Sequence, residues 1–216
     1  MERDPFVECL LAGQKEIGIE LDQERIRRFV IHRDLLLRWG EKMNLTTVKD
    51  PVGMAEKLFL DCAAISCRIK KGSSVCDVGS GAGFPGLVLL EMDETIALTM
   101  IEARRKKVSF LETALRALEL RAEVRWERFG WSGGPGKTFD EVVSRATFPP
   151  EEWLRLGAPL VRPGGRLWLM LGPSEEGDLD LRFLQPSGFS AAEVIEYRLP
   201  MTRSRRTLAS YTRLLG

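Results

Sequence analysis

Residues 77–86 read DVGSGAGFPG and set four glycines in ten positions behind a carboxylate, Asp77. Glycine tolerates positive φ, so Gly79, Gly81 and Gly83 let a ligand lie directly against the backbone. Gly81 to Gly86 also spell G-x-G-x-x-G, the spacing of a nucleotide-binding turn that opens a helix. A second carboxylate, Glu102, closes the next apolar run, 21 residues after Gly81. An acidic side chain at that strand end grips the hydroxyls of a ribose, so the spacing predicts an adenosine ligand. Two such ligands compete. A nicotinamide dinucleotide would set an anionic pyrophosphate on the helix N-terminus. S-adenosyl-L-methionine has no phosphate and carries a cationic sulfonium and α-amino group. Asp77 just ahead of the glycines suits the cation better. Dinucleotide domains often begin near the chain start, whereas some 70 residues precede this loop. The methyl donor is therefore the preferred ligand, with the dinucleotide and a ligand-free turn as alternatives.

Other chemistries are poorly supplied. The four cysteines, Cys9, Cys62, Cys67 and Cys76, form no C-x-x-C, and His32 is the only histidine. No zinc site is expected from that set. Cys62 and Cys67 read as small buried hydrophobes, and His32 as a residue of a solvated or packing face without chemistry. Asp61, inside an apolar segment, needs a partner if buried. The start MERDPFVE lacks the apolar core of a signal peptide. The apolar patch at 58–69 is broken by Asp61 and Arg68 and is too short for a bilayer. A reduced, cytoplasmic protein is expected. Lys and Arg total 32 against 31 for Asp and Glu, a net charge of +1, so any nucleic-acid contact must use local basic patches.

The elements that would hold these residues follow from hydrophobic period. Residues 4–69 read as helical, with Ile26, Phe29, Val30 and Leu37 on one face. Pro51 suits the first turn of a further helix. After Gly72, apolar runs at 74–78, 96–101, 123–126, 140–143 and 166–171 alternate with helical patterns at 86–91, 104–119 and 150–160. This alternation predicts a parallel sheet covered on both faces. Residues 189–215 read as a closing antiparallel pair. The expected organisation is one compact domain: an N-terminal helical extension (1–70) and a Rossmann-like α/β core (71–216).

The ordered segments EKMNLTTVKDP, DVGSGAGFPG, FLETALRALEL, VVSRA, LVRPGGRL and YRLP…RTLASYTR resemble the GidB (RsmG) family. The resemblance implies a Rossmann-like S-adenosylmethionine-dependent methyltransferase acting on N7 of guanine 527 in bacterial 16S rRNA. By that resemblance Gly79 and Phe84 contact the cofactor, as do Phe129 and Gly130, which stand where the family has Ala-Glu beside the adenine. Arg145 matches a family arginine at the rim of cofactor and active site. Glu102 takes the strand-end acidic position, usually aspartate. Asp77 and Gly81 complete the expected cofactor set, and Asn44 and Arg145 are the candidates for catalysis or substrate guidance. Leu58 stands where the family has histidine and Cys62 where it has serine, while Asp61 is kept. A catalytically weakened RNA- or ribosome-binding relative is therefore the alternative. The implied partner is 16S rRNA or the small ribosomal subunit, met by a monomer. Lys42, Lys49, Lys57, Arg104 to Lys107, Arg203, Arg205 and Arg206 are the candidate phosphate contacts.

Overall fold

Asp4, Asp22 and Asp50 set the starts of the first three helices. Each side chain accepts a backbone N–H two or three residues on, filling a donor that a first turn leaves unpaired. Pro5 and Pro51 follow two of these caps, where a missing N–H is harmless. The helices are α1 (Pro5–Gly13), α2 (Gln23–Gly40) and α3 (Pro51–Met54). The chain then continues through a π-helical turn, Ala55–Leu60, into α4 (Asp61–Ala63). The computed structural model describes residues 4–41, 43–129, 136–172, 181 and 184–215.

From Ser74 strands and helices alternate: β1 (Ser74–Val78), α5 (Gly86–Met92), β2 (Ala97–Glu102), α6 (Arg105–Leu118), β3 (Glu123–Trp126), β4 (Phe139–Val143), α7 (Pro150–Gly157), β5 (Val161–Leu171), β6 (Glu193–Arg198) and β7 (Arg205–Thr212). Among the described residues seven strands lie in the order β3-β2-β1-β4-β5-β7-β6. Strands β1 to β5 are mutually parallel, and β7 runs antiparallel to both its neighbours. This is the Rossmann-like α/β sheet that the alternation predicts. The closing antiparallel pair is also present, but β7 enters the sheet between β5 and β6.

Strand β5 begins five residues before the apolar run that marks it in the sequence, crossing Pro163-Gly164-Gly165. The reason is packing: a Cβ on Gly165 would stand 2.7 Å from the Asp140 carbonyl, and the pairing shifts register between Phe139 and Glu141. Turn-type residues thus serve a strand that must pass close to its neighbour.

Alternate side chains of each strand feed two cores. Val75, Met100, Trp168 and Met170 join a cluster with Phe6, Phe29, Phe59, Leu87 and Phe110, so the N-terminal helices cover one face of the sheet. Cys76, Val78, Ile101, Leu167 and Leu169 face the other way, against Trp153 and Tyr211. Among the described residues no helix is long and apolar enough to cross a membrane. Because β1 lies between β2 and β4, the connections reverse direction beside it. A crevice opens beyond strand ends at such a switch point.

Candidate active site

The chain turns as soon as β1 ends. Gly79 has φ +77°, and a Cβ there would stand 2.4 Å from Thr147 Oγ1, so no other residue fits. Five amides of the turn have partners within the turn or on β2. Gly79 and Ser80 donate to the Ile101 carbonyl (2.8 and 3.2 Å), and Gly83 and Phe84 donate to the Ser80 carbonyl (2.7 and 3.1 Å). Gly81 N–H donates to Glu102 Oε2 at 2.9 Å, while Arg104 N–H donates to Oε1 at 2.7 Å. A carboxylate oxygen accepts two bonds, so both Glu102 oxygens retain capacity, and Glu102 lines the cleft.

Asp77 is placed differently from the expectation. It is fully buried beneath the turn and forms no part of the cleft wall. Its Oδ2 accepts the Gly86 N–H at 3.0 Å, capping α5, whose first turn follows Pro85 and has no other side-chain cap. Gly86 makes the approach possible, since a Cβ there would lie 2.6 Å from Oδ2. Burial, reinforced by the charge of Glu102, pushes the Asp77 carboxyl up to about 7. Its role is to hold the turn from below, not to touch a cation.

The cleft encloses about 680 Å³ between the glycine turn, residues 102–104, residues 127–129 and residues 145–148. Phe84 and Phe129 both line it, as do Gly79, Gly81 and Arg145. The Phe129 ring packs edge-on to Phe148, 6.3 Å between centroids. Gly130 lies outside the described residues, as does Lys42. Asn44 is exposed and not in the wall, whereas its neighbours Leu45 and Thr46 are. Leu58 supplies an apolar patch of wall. Cys62 is buried, and burial pushes its thiol up to about 12, which makes it inert. Sequence reasoning missed Thr147, Phe148 and Arg128 in the wall; only their adjacency to Arg145 and Phe129 signalled them.

Arg145 both lines the cleft and ties it to the rest of the molecule. Its Nη2 donates to the Lys57 carbonyl (2.6 Å) in the π-helical turn and to Asp61 Oδ2 (3.0 Å). Asp61, only 3% exposed, also accepts the Tyr197 hydroxyl (2.7 Å) and faces Arg206 Nε at 3.2 Å. The buried Asp61 therefore has the partner its setting demands. The next residue, Ala146, sits in the left-handed region at φ +51°, a strained backbone at the cleft edge.

The anticipated basic surface divides in two. Arg206 is committed to Asp61, Arg205 pairs with Glu196 at 2.5 Å, and Arg203 pairs with Glu16. Arg205 thus ties β7 to β6, while Arg203 and Arg206 tie the β6–β7 hairpin to the N-terminal helical segment, so each of the three already has an acidic partner. Arg104 and Lys107 instead line the cleft, with Arg105 and Lys106 exposed beside them. Behind the turn, His32 is fully buried rather than solvated, with Nε2 2.9 Å from the Ala82 carbonyl.

A sequence profile of the GidB family, described as rRNA small subunit methyltransferase G, matches residues 25–198. The chain is 33% identical over 210 residues to the ribosomal RNA small subunit methyltransferase G of Anaeromyxobacter sp. strain Fw109-5, covering 95% of this chain and 97% of that one. It is 35% identical over 203 residues to the protein of that name from Caldanaerobacter subterraneus subsp. tengcongensis, covering 91% and 85%. A methyltransferase crystal structure from Pyrococcus furiosus superposes with a TM-score of 0.61 at 14% identity, covering 88% of this chain and 99% of that one. That last likeness is one of fold, and it agrees with the sheet order. Sequence match and architecture meet in one conclusion: the chain belongs to the GidB family of rRNA small subunit methyltransferase G enzymes.

Proposed function

We propose that this S-adenosylmethionine-dependent rRNA methyltransferase acts at N7 of guanine 527 in bacterial 16S rRNA, as a cytoplasmic monomer working on the small ribosomal subunit. The reading rests on how the turn uses its hydrogen bonds. Five of its amides are spent on Ile101, Ser80 and Glu102, and the α5 N-terminus already holds the Asp77 carboxyl. A pyrophosphate needs those donors, so the turn favours a phosphate-free nucleoside over a dinucleotide.

The wall residues fit the methyl donor. Glu102 retains acceptor capacity for ribose hydroxyls, Phe84 and Phe129 offer apolar faces to an adenine, and Arg104 and Lys107 suit a carboxylate. The chemistry that bound S-adenosylmethionine supplies is an electrophilic methyl group on a sulfonium. Guanine N7 carries an in-plane lone pair and no proton, so the protein needs no general base. Among the described wall residues there is neither histidine nor cysteine. Arg145, fixed by Asp61 and the Lys57 carbonyl, and the strained Ala146 shape the side on which a base would enter. Alignment of N7 with the methyl group, about 3 Å away, then carries most of the acceleration. In A-form RNA the groove presenting N7 is deep and narrow, so the target base must be unpaired or extruded.

Labelled donor incubated with small subunits from an unmodified strain tests the proposal. The expected product is label in 16S rRNA at one alkali- and borohydride-sensitive guanine, position 527. Donor binding without label would point instead to the weakened ribosome-binding relative, which Leu58 in place of the family histidine and Gly130 in place of the family glutamate motivate. Tight binding of a nicotinamide dinucleotide would overturn both.

A further inference from the structure

We propose that His32 is a positioning residue for the methyl-donor site: paired with Glu91, it holds the Ala82 carbonyl and so fixes the glycine turn from behind. The inference rests on the functional reading above and adds a brace that lies outside the cleft. His32 comes from α2 and Glu91 from α5, and both are wholly buried. Nε2 lies 2.9 Å from the Ala82 carbonyl oxygen, which can only accept, so Nε2 carries a proton. That assignment leaves Nδ1 facing Glu91 Oε1 at 3.0 Å. The approach lies off the axis of an aligned hydrogen bond, so the contact is electrostatic. Two bare lone pairs at that distance would repel in an apolar interior. One proton therefore resides on Nδ1 or Oε1, and the pair is neutral overall.

The surroundings hold the ring in this one pose. Phe84 stacks on it at 5.0 Å and 11°, and Phe59 meets it edge-on at 5.1 Å. A Cβ on Gly83 would lie 3.2 Å from His32 Cε1, so the ring fills the space behind that glycine. Glu102 fixes the Gly81 amide from the cleft side, and His32 fixes the next carbonyl from the opposite side. Phe84, the ring's stacking partner, is itself cleft wall. Packing alone does not call for such a pair. Replacing a buried polar pair with apolar side chains of similar volume is often neutral or stabilising.

That contrast supplies the test. The His32→Leu/Glu91→Leu double variant is expected to keep its fold and melt within a few degrees of wild type, the gain from removing the buried polar pair offsetting the unpaired Ala82 carbonyl. Yet calorimetry should show it binding S-adenosylhomocysteine about tenfold more weakly, the loss expected when a buried carbonyl loses its donor. The KM for the donor should rise by the same factor while kcat at saturating donor is retained. Glu91→Gln, whose amide can donate to Nδ1, should keep binding within about threefold of wild type. Unchanged binding by the double variant overturns the proposal, as does a binding loss that merely tracks a lower melting temperature. His32 is the chain's only histidine, so its imidazole ¹⁵N resonances are unambiguous in tag-free protein. An unprotonated Nε2 in the unliganded enzyme would also overturn it. Wild-type protein that binds no S-adenosylhomocysteine would sink the functional reading instead, with the ¹⁵N result still deciding the brace.

Discussion

Glu102 accepts two backbone N–H bonds and still faces the cleft, so its loss acts on both turn and ligand. Glu102→Ala should weaken S-adenosylhomocysteine binding roughly 10- to 100-fold, the scale of charge-assisted hydrogen bonds, as read by calorimetry. Asp77 carries the opposite lesson, because its carboxyl is held up to about 7 by burial against an ordinary 3.8. Between those values the unfolded chain releases a proton that the folded chain keeps, so stability falls as pH rises from about 4 to 7. The penalty reaches at most about 4 kcal/mol above that window. Asp77→Asn still offers an oxygen to the Gly86 amide but cannot ionise. Denaturant melts of this variant should lose much of the decline in stability between pH 4 and 7, while wild type keeps it.

Among elements, the hinge of the design is the π-helical turn and α4, which reach across to the sheet. Asp61 gathers Arg145 from the end of β4, Tyr197 from β6 and Arg206 from β7. One turn earlier, Glu56 Oε1 accepts the Met201 and Thr202 amides at 2.6 and 2.7 Å, pinning the hairpin tip. Asp61→Ala would deprive two partly buried guanidinium groups of their shared carboxylate, a loss of about 1–3 kcal/mol measurable by urea unfolding. It should also release Arg145 and lower kcat. Much of this architecture was readable beforehand, and the pattern of what was not is instructive. Strands β1 to β4 and helix α6 follow from runs whose period matches one element and whose breaks are polar, with glycines bounding β1 on both sides. Of the cleft residues, Glu102 follows from its spacing to the glycines, and Gly79, Phe84 and Arg145 follow from the family resemblance. By contrast, the meeting of Asp61 with Tyr197 and Arg206 spans some 140 residues of chain. No local period encodes a contact at that separation. The pairing of His32 with Glu91 was hidden for the same reason, since it forms only where α2 and α5 cover one another.

At the scale of the molecule, a net charge of +1 leaves RNA attraction to where the cations stand. Arg104 and Lys107 line the cleft, and Arg105 and Lys106 flank it on the first turn of α6. Arg105 also lies over the Trp126 ring, 5.2 Å from its centroid, and that indole is 60% exposed. The Arg105→Ala/Lys106→Ala variant should raise the KM for small subunits severalfold with donor binding unchanged. If both cations meet phosphates, the slope of log affinity against log salt should shallow by about 2.

The sheet order has a consequence for synthesis. Strand β7 follows β6 along the described chain and yet separates β5 from β6 in the sheet. A nascent polypeptide that has emerged only as far as the hairpin tip can assemble the parallel strands, but the long edge of β5 stays bare. That edge carries Leu167, Leu169 and Leu171, so a stalled or prematurely stopped product is a sticky template rather than a small working enzyme. Chaperones and proteases would meet such fragments at the same ribosome whose RNA the finished protein is to mark.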